Sequence, residues 1–263
     1  MRTPVPNRQI SFWGYFPLAY QDAARVFRAM WPIVLTLVAG VLVVDFIGDL
    51  LHPLIGTRLG DGVLDLLVTA VTTFLIAPYL FVLYRHADSG EMLRPEAIRS
   101  TAEAQRFAGW LVLTSLIVGV PLTLYSMFGT YTPVAELPPG TALEEQDVNV
   151  PAMLGIFMLL LGVWIFAVRT TTLMPMLALA PTEASFGASL AQSRGHFWFI
   201  VGVQFITMLP VSLFSLVVRE LISGMFGPLA PIVQVPVAAV LTGFAQVMVV
   251  VVSARLYERF SRV

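Results

Sequence analysis

Asp45 lies within a long apolar run, fourteen residues past Trp31. At about 1.5 Å per helical residue it sits roughly 20 Å along that run. A carboxylate at such depth costs a few kcal/mol unless it is neutral, paired or hydrated. One chemistry that would justify the expense is the handling of a proton or cation. Asp49 follows one helical turn later, and His52, Arg58, Asp61 and Asp65 extend the polar set. The alternative for the same residues is an external cap in which Arg58 pairs with an aspartate. Arg169 is the second costly group, interrupting the apolar stretch from Ala152 to Pro181 and leading into Thr170, Thr171 and Thr172. A guanidinium beside three hydroxyls suits a substrate or a lipid phosphate. It also suits plain snorkelling to the headgroups, or pairing with Glu183 or Glu258. Gln204, Gln234 and Gln246 read as hydrogen-bonding partners between helices.

Other chemistry lacks its residues. The three histidines, His52, His86 and His196, are scattered, and the acidic groups follow no zinc spacing. There is no Ser-His-Asp order, HExxH pair or glycine-rich phosphate loop, so no catalytic residue, metal or cofactor is assigned. Nucleic acid is not expected as a partner, because no basic face is interleaved with aromatics.

The elements that carry these groups are membrane helices. The chain is 57% hydrophobic and 12% charged, with mean hydropathy +0.83, against about 25% charged in soluble domains. Six apolar runs, over about 31–51, 63–84, 107–128, 152–178, 197–218 and 232–254, each match the ~20 residues that span hydrocarbon. Lysine is absent, and thirteen of the fifteen arginines fall on one side of this pattern. Arg2, Arg8, Arg25 and Arg28 precede the first run; Arg85, Arg94, Arg99 and Arg106 lie between the second and third. Arg169 and Arg194 flank the turn between the fourth and fifth, and Arg255, Arg259 and Arg262 end the sixth. The opposite side holds only Arg58 and Arg219, while the 129–151 loop carries Glu136, Glu144, Glu145 and Asp147. Positive charge is retained on the cytoplasmic side during insertion, so both termini are expected inside. The fold class is an all-α polytopic bundle forming a single membrane domain over 1–263. Arginine without lysine hints at a GC-rich bacterial genome, and hence a bacterial inner membrane. The late apolar run and missing A-x-A site argue against a cleavable signal. Absent cysteine removes disulfides and thiol chemistry.

The six runs read as three parallel two-helix repeats, over 18–86, 95–181 and 182–260. Each opens with arginine and phenylalanine ahead of tryptophan: Arg28 and Trp31, Arg106 and Trp110, Arg194 and Trp198. These six are the expected interfacial anchors. Pro121-Leu-Thr-Leu-Tyr-Ser and Pro210-Val-Ser-Leu-Phe-Ser recur eleven and twelve residues past their tryptophans, and Pro78 matches Pro175 on the returning helices. The segments leading into the repeats are expected to be amphipathic helices on the cytoplasmic leaflet. In 18–30, Gln21, Arg25 and Arg28 form the polar stripe, opposite Ala19, Ala23, Val26, Phe27 and Met30. In 95–107, Pro95 and Glu96 suit the helix start and Arg106 its C-terminal end. In 181–195, Thr182 suits the N-cap.

Residues Arg169, Pro175, Ser189, Ser193, Arg194, Gly195, Phe197 and Trp198 resemble the six-span membrane domain found fused to glycerophosphoryl diester phosphodiesterases, and its stand-alone YciC-type relatives. Leu190 departs from that pattern, in which tryptophan is frequent. The resemblance implies an integral membrane protein with no defined reaction, since the phosphodiesterase chemistry belongs to a separate soluble domain. The expected role is non-catalytic support of envelope, lipid or membrane-protein organisation, with membrane lipids as partners and a membrane protein or a second copy as a further one. The alternative is a small-molecule or ion transporter using Asp45 and Arg169.

Overall fold

The computed structural model describes residues 12–55, 58–128, 150–227 and 230–261. Among them the fold is all-α: α1 (Phe12–Ile55), α2 (Arg58–Ser89), α3 (Pro95–Ile98), α4 (Ala102–Phe128), α5 (Val150–Arg169), α6 (Leu173–Leu179), α7 (Phe186–Gln192), α8 (Phe197–Phe226) and α9 (Ala230–Ser261). Six stretches are long and apolar enough to cross a membrane, as expected of a multi-pass integral membrane protein. α2 packs most extensively on α4 and α1, α9 on α1 and α8, and α5 leans mainly on α4.

Side-chain chemistry fixes where these helices bend and stop. α1 is continuous for 44 residues except at Met30, whose φ of −116° and ψ of 17° leave the helical region. Pro32 follows two residues later; it offers no N–H to the preceding turn, and its ring crowds that turn's carbonyl. The kink falls where the amphipathic segment gives way to the apolar run. The fourth apolar run is also divided, ending α5 at Arg169 and resuming as α6 after the turn 170–172. Phe166 O keeps its backbone bond from Thr170 N at 2.9 Å, but Thr171 N turns to Val168 O, and the Thr171 hydroxyl donates instead to the freed Ala167 O at 3.1 Å. Unpaired carbonyls in hydrocarbon would cost several kcal/mol each, so a break at this depth needs such residues. Pro175 falls within the first turn of α6, where its missing N–H breaks no bond, whereas Pro78 lies inside the unbroken α2.

The well-packed core gathers at the arginine-rich end. Leu80 to Tyr84, Phe107, the buried face of α6, Ile200, Val247, Met248, Val250 to Val252 and Leu256 all contribute to it. α6 fills the space between α4, α2 and α9 with Leu173, Met176, Leu177 and Ala178. Toward the other end the helices turn apolar side chains outward, including Phe46 and Leu50 on α1, Phe157 and Met158 on α5, and Phe214 and Met225 on α8. That pattern suits a surface solvated by lipid rather than by water.

Several expectations for the lead-in segments are overturned. The apolar face of 18–30 does not face a leaflet. Ala19, Ala23, Val26 and Met30 are buried in protein, and Asp22 on the same segment pairs with Arg255 of α9. Residues 95–107 do not form one helix, because α3 stops after one turn. Thr101 then accepts from Ala104 N at 3.3 Å, opening α4. Arg106 therefore stands near the start of α4, not at a helix C-terminus. Its guanidinium donates to Pro181 O at 2.9 Å and Ala184 O at 2.7 Å, tying down the 181–184 turn. Ser185 rather than Thr182 caps α7, accepting from Ala188 N at 3.1 Å. Trp110 is half-buried and stacks on Phe186, with ring centroids 6.4 Å apart.

Candidate functional site

The polar residues singled out in the sequence are not brought together. Asp45 and Asp49 lie on the last third of α1, and their side chains, like those of His52 and Arg58, fall outside the described residues. Asp65 is exposed near the start of α2, at the same end of the bundle. Arg169 ends α5 at the opposite, arginine-rich end. At ~1.5 Å per residue the fifteen residues between the Met30 kink and Asp45 span about 22 Å, so Asp45 and Arg169 share no short path. Arg169 is half-buried, and among the described residues it forms no ion pair with Glu183 or Glu258. Residues 129–149, with the acidic loop, lie outside the described residues.

What the fold does build is a cleft of about 340 Å³ between α5, α8 and α9. Trp164 of α5 and Thr171 of the turn form one wall. Val201, Gln204, Phe205 and Met208 of α8 form the second, and Val249, Val252 and Ser253 of α9 the third. Its volume is at the small end of the ~300–1,000 Å³ usual for ligand sites. α5 touches α8 only sparsely, and Trp164 meets Phe197 edge to face at 5.7 Å. Trp164 and Phe205 are exposed, at 43% and 62%, so the cleft opens sideways from the bundle.

Three polar residues lie inside this apolar lining. Gln204 donates from Nε2 to Thr171 Oγ1 at 3.0 Å, joining α8 to the break after α5. Thr171 spends its own hydrogen on Ala167 O. Ser253 donates to Val249 O at 2.6 Å and shares a 3.0 Å hydrogen bond with the buried Tyr84 hydroxyl of α2. The Thr171 and Ser253 hydroxyls are thus committed to the protein. Gln204 keeps its Oε1 and the second hydrogen of Nε2.

Of the three glutamines expected to hydrogen-bond between helices, Gln204 and Gln234 do so, whereas Gln246 makes no side-chain hydrogen bond among the described residues. Gln234 of α9 donates to Ser223 Oγ at 2.7 Å and Arg219 O at 3.2 Å of α8. Tyr84, Ser253 and the Asp22–Arg255 pair were missed. A hydroxyl inside an apolar run is the one signal that pointed to Tyr84 and Ser253. Nothing local signals an ion pair across 233 positions.

The stretch 169–198 folds as a local unit. Ser189 is fully buried, with its Oγ 2.9 Å from Thr172 Oγ1 and donating to Arg169 O at 3.4 Å. Gly195 has φ +82°, a left-handed conformation that glycine adopts without steric cost, and it turns the chain into α8. Arg28, Trp31, Arg194 and Trp198 are exposed at the arginine-rich end. Comparison of the chain with protein-family models, with curated proteins and with solved structures finds no match.

Proposed function

We propose that this chain is a non-catalytic integral protein of a bacterial inner membrane, with both termini cytoplasmic, that organises lipids or a membrane-protein partner through its arginine-rich end. One observation carries the reading. Arg28, Arg94, Arg99 and Arg194 are exposed at that end and, among the described residues, take part in no ion pair. Trp13, Trp31 and Trp198 are exposed beside the same chain segments. Guanidinium groups next to interfacial indoles suit an anionic leaflet, at about 1 kcal/mol per basic residue near the surface. The outward apolar faces at the other end leave room for a second copy or another membrane protein. The YciC-type resemblance of 169–198 points the same way and supplies no reaction. The transporter alternative has less support, because Asp45 and Arg169 belong to opposite ends of the bundle.

Native mass spectrometry of the detergent-extracted protein tests the reading. The wild type should retain anionic phospholipid adducts. Changing Arg28, Arg94, Arg99 and Arg194 together to glutamine should reduce them at least tenfold, within the several kcal/mol that four contacts can supply. Equal retention by both proteins would sink the proposal.

A further inference from the structure

We infer that the α5–α8–α9 cleft is a lateral binding site for an uncharged lipid alcohol, an amphiphile whose head both donates and accepts hydrogen bonds, drawn from the surrounding bilayer. The site rests on the membrane placement above but not on the anionic-lipid contacts.

Three observations select this occupant. The first is the lining, where no charged side chain is present and most of the wall is Trp164, Val201, Phe205, Met208 and Val249. A phosphate or carboxylate entering it would lose its water without meeting a cation, which is costly. Arg169 is close in sequence to Thr171 yet does not line the cleft. The second is the hydrogen-bonding capacity left over. Thr171 and Ser253 are tied to the protein, so Gln204 alone can offer both a donor and an acceptor. A hydroxyl satisfies both at once, whereas a ketone or ether satisfies one. The third is depth and direction. Gln204 is seven residues into α8 and Ser253 eight before the end of α9, about 10–12 Å in from the arginine-rich end at ~1.5 Å per residue. Met208 and Val249 continue the wall deeper still. A lipid of that leaflet would set its polar head against Gln204 and run its chain along Phe205 and Met208. It would enter through the side opening flanked by Trp164.

Trp164 makes the cleft readable. The full chain, in nanodiscs of zwitterionic lipid alone, is titrated with a monoacylglycerol brominated on its chain, and the Trp164 signal is taken as wild type minus Trp164→Phe. Quenching should saturate and be reversed by unbrominated monoacylglycerol, with an equal amount of a lysophosphatidic acid displacing the probe far less. Gln204→Leu, similar in size but without the amide, should raise half-saturation about tenfold, the loss expected for two hydrogen bonds of roughly 0.5–1 kcal/mol each. Quenching that rises linearly with probe and ignores Gln204→Leu would overturn the site, as would stronger displacement by the anionic lipid. Should Gln204→Leu fail to fold, a diazirine-bearing monoacylglycerol on the wild type decides. Competable labelling within 164–171, 201–208 and 249–253 supports the site, and labelling spread along 213–226 overturns it. The direct titration contains no anionic lipid, so cleft binding can fail while arginine-dependent retention survives, and the reverse.

Discussion

Replacing Phe107 with alanine should destabilise the folded protein by about 3 kcal/mol, the low end of the ~3–5 kcal/mol range for buried phenylalanine. Phe107 is fully buried one and a half turns into α4. Its ring meets Phe81 edge to face at 5.5 Å and Tyr84 at 6.0 Å, joining α4 to α2 where these helices pack most extensively. The low end is expected because an unfolded chain in a micelle still surrounds the ring with hydrocarbon. What remains is the lost packing and the cavity. Equilibrium unfolding by denaturing detergent in mixed micelles measures it. A loss below about 1 kcal/mol would mean that this end of the bundle is far looser than the contacts indicate. Leu113, exposed on the same helix, is the control, and Leu113→Ala should stay within the ~0.5 kcal/mol typical of surface changes.

A side chain at Gly243 should be the next most damaging change. A Cβ there would lie 2.8 Å from Val34 Cγ1 and 2.9 Å from Val38 Cγ2, inside van der Waals contact with both. Valine in a helix is held to one χ1 rotamer, so neither methyl can swing away. α1 and α9 therefore approach at Gly243 in the manner of small-residue helix crossings in membranes. Gly243→Ala should cost about 1–3 kcal/mol by overpacking, and Gly243→Leu should separate the two helices. The cause is checked by repair: Val34→Ala with Val38→Ala in the Gly243→Ala background should recover most of the loss, a coupling that a double-mutant cycle isolates. Absence of recovery would place the damage elsewhere.

The coarse fold was legible because hydrocarbon imposes it. Six apolar runs of about 20 residues suit helices, since backbone groups in lipid must find partners in the protein and a helix supplies them within its own segment. The kink at Met30 was not anticipated, although Pro32 stands where the amphipathic pattern ends. Less legible was what would cover an amphipathic face. Ala19, Ala23 and Val26 are apolar whether lipid or α8 and α9 lie against them. Arg106 and Trp110 look like any membrane anchor until the 181–184 turn and Phe186 are placed beside them. The division of the fourth run had a signal in Thr170–Thr171–Thr172, whose hydroxyls can replace lost backbone bonds, but the same residues also suit a ligand. The cleft depended on helix order, which periodicity does not encode. Gln204 was marked as a hydrogen-bonding residue, yet only the fold shows that it lines a cleft.

The proposed cytoplasmic placement of the arginine-rich end is tested most directly by cysteine labelling in a chain that has no cysteine of its own. Met92→Cys marks the arginine-rich end, where the native side chain is 69% exposed, and Glu145→Cys marks the acidic loop. In intact spheroplasts a membrane-impermeant maleimide should label Glu145→Cys and leave Met92→Cys untouched until the membrane is permeabilised. Labelling of Met92→Cys in intact cells, or protection of Glu145→Cys, would contradict the orientation on which the lipid-binding reading is built.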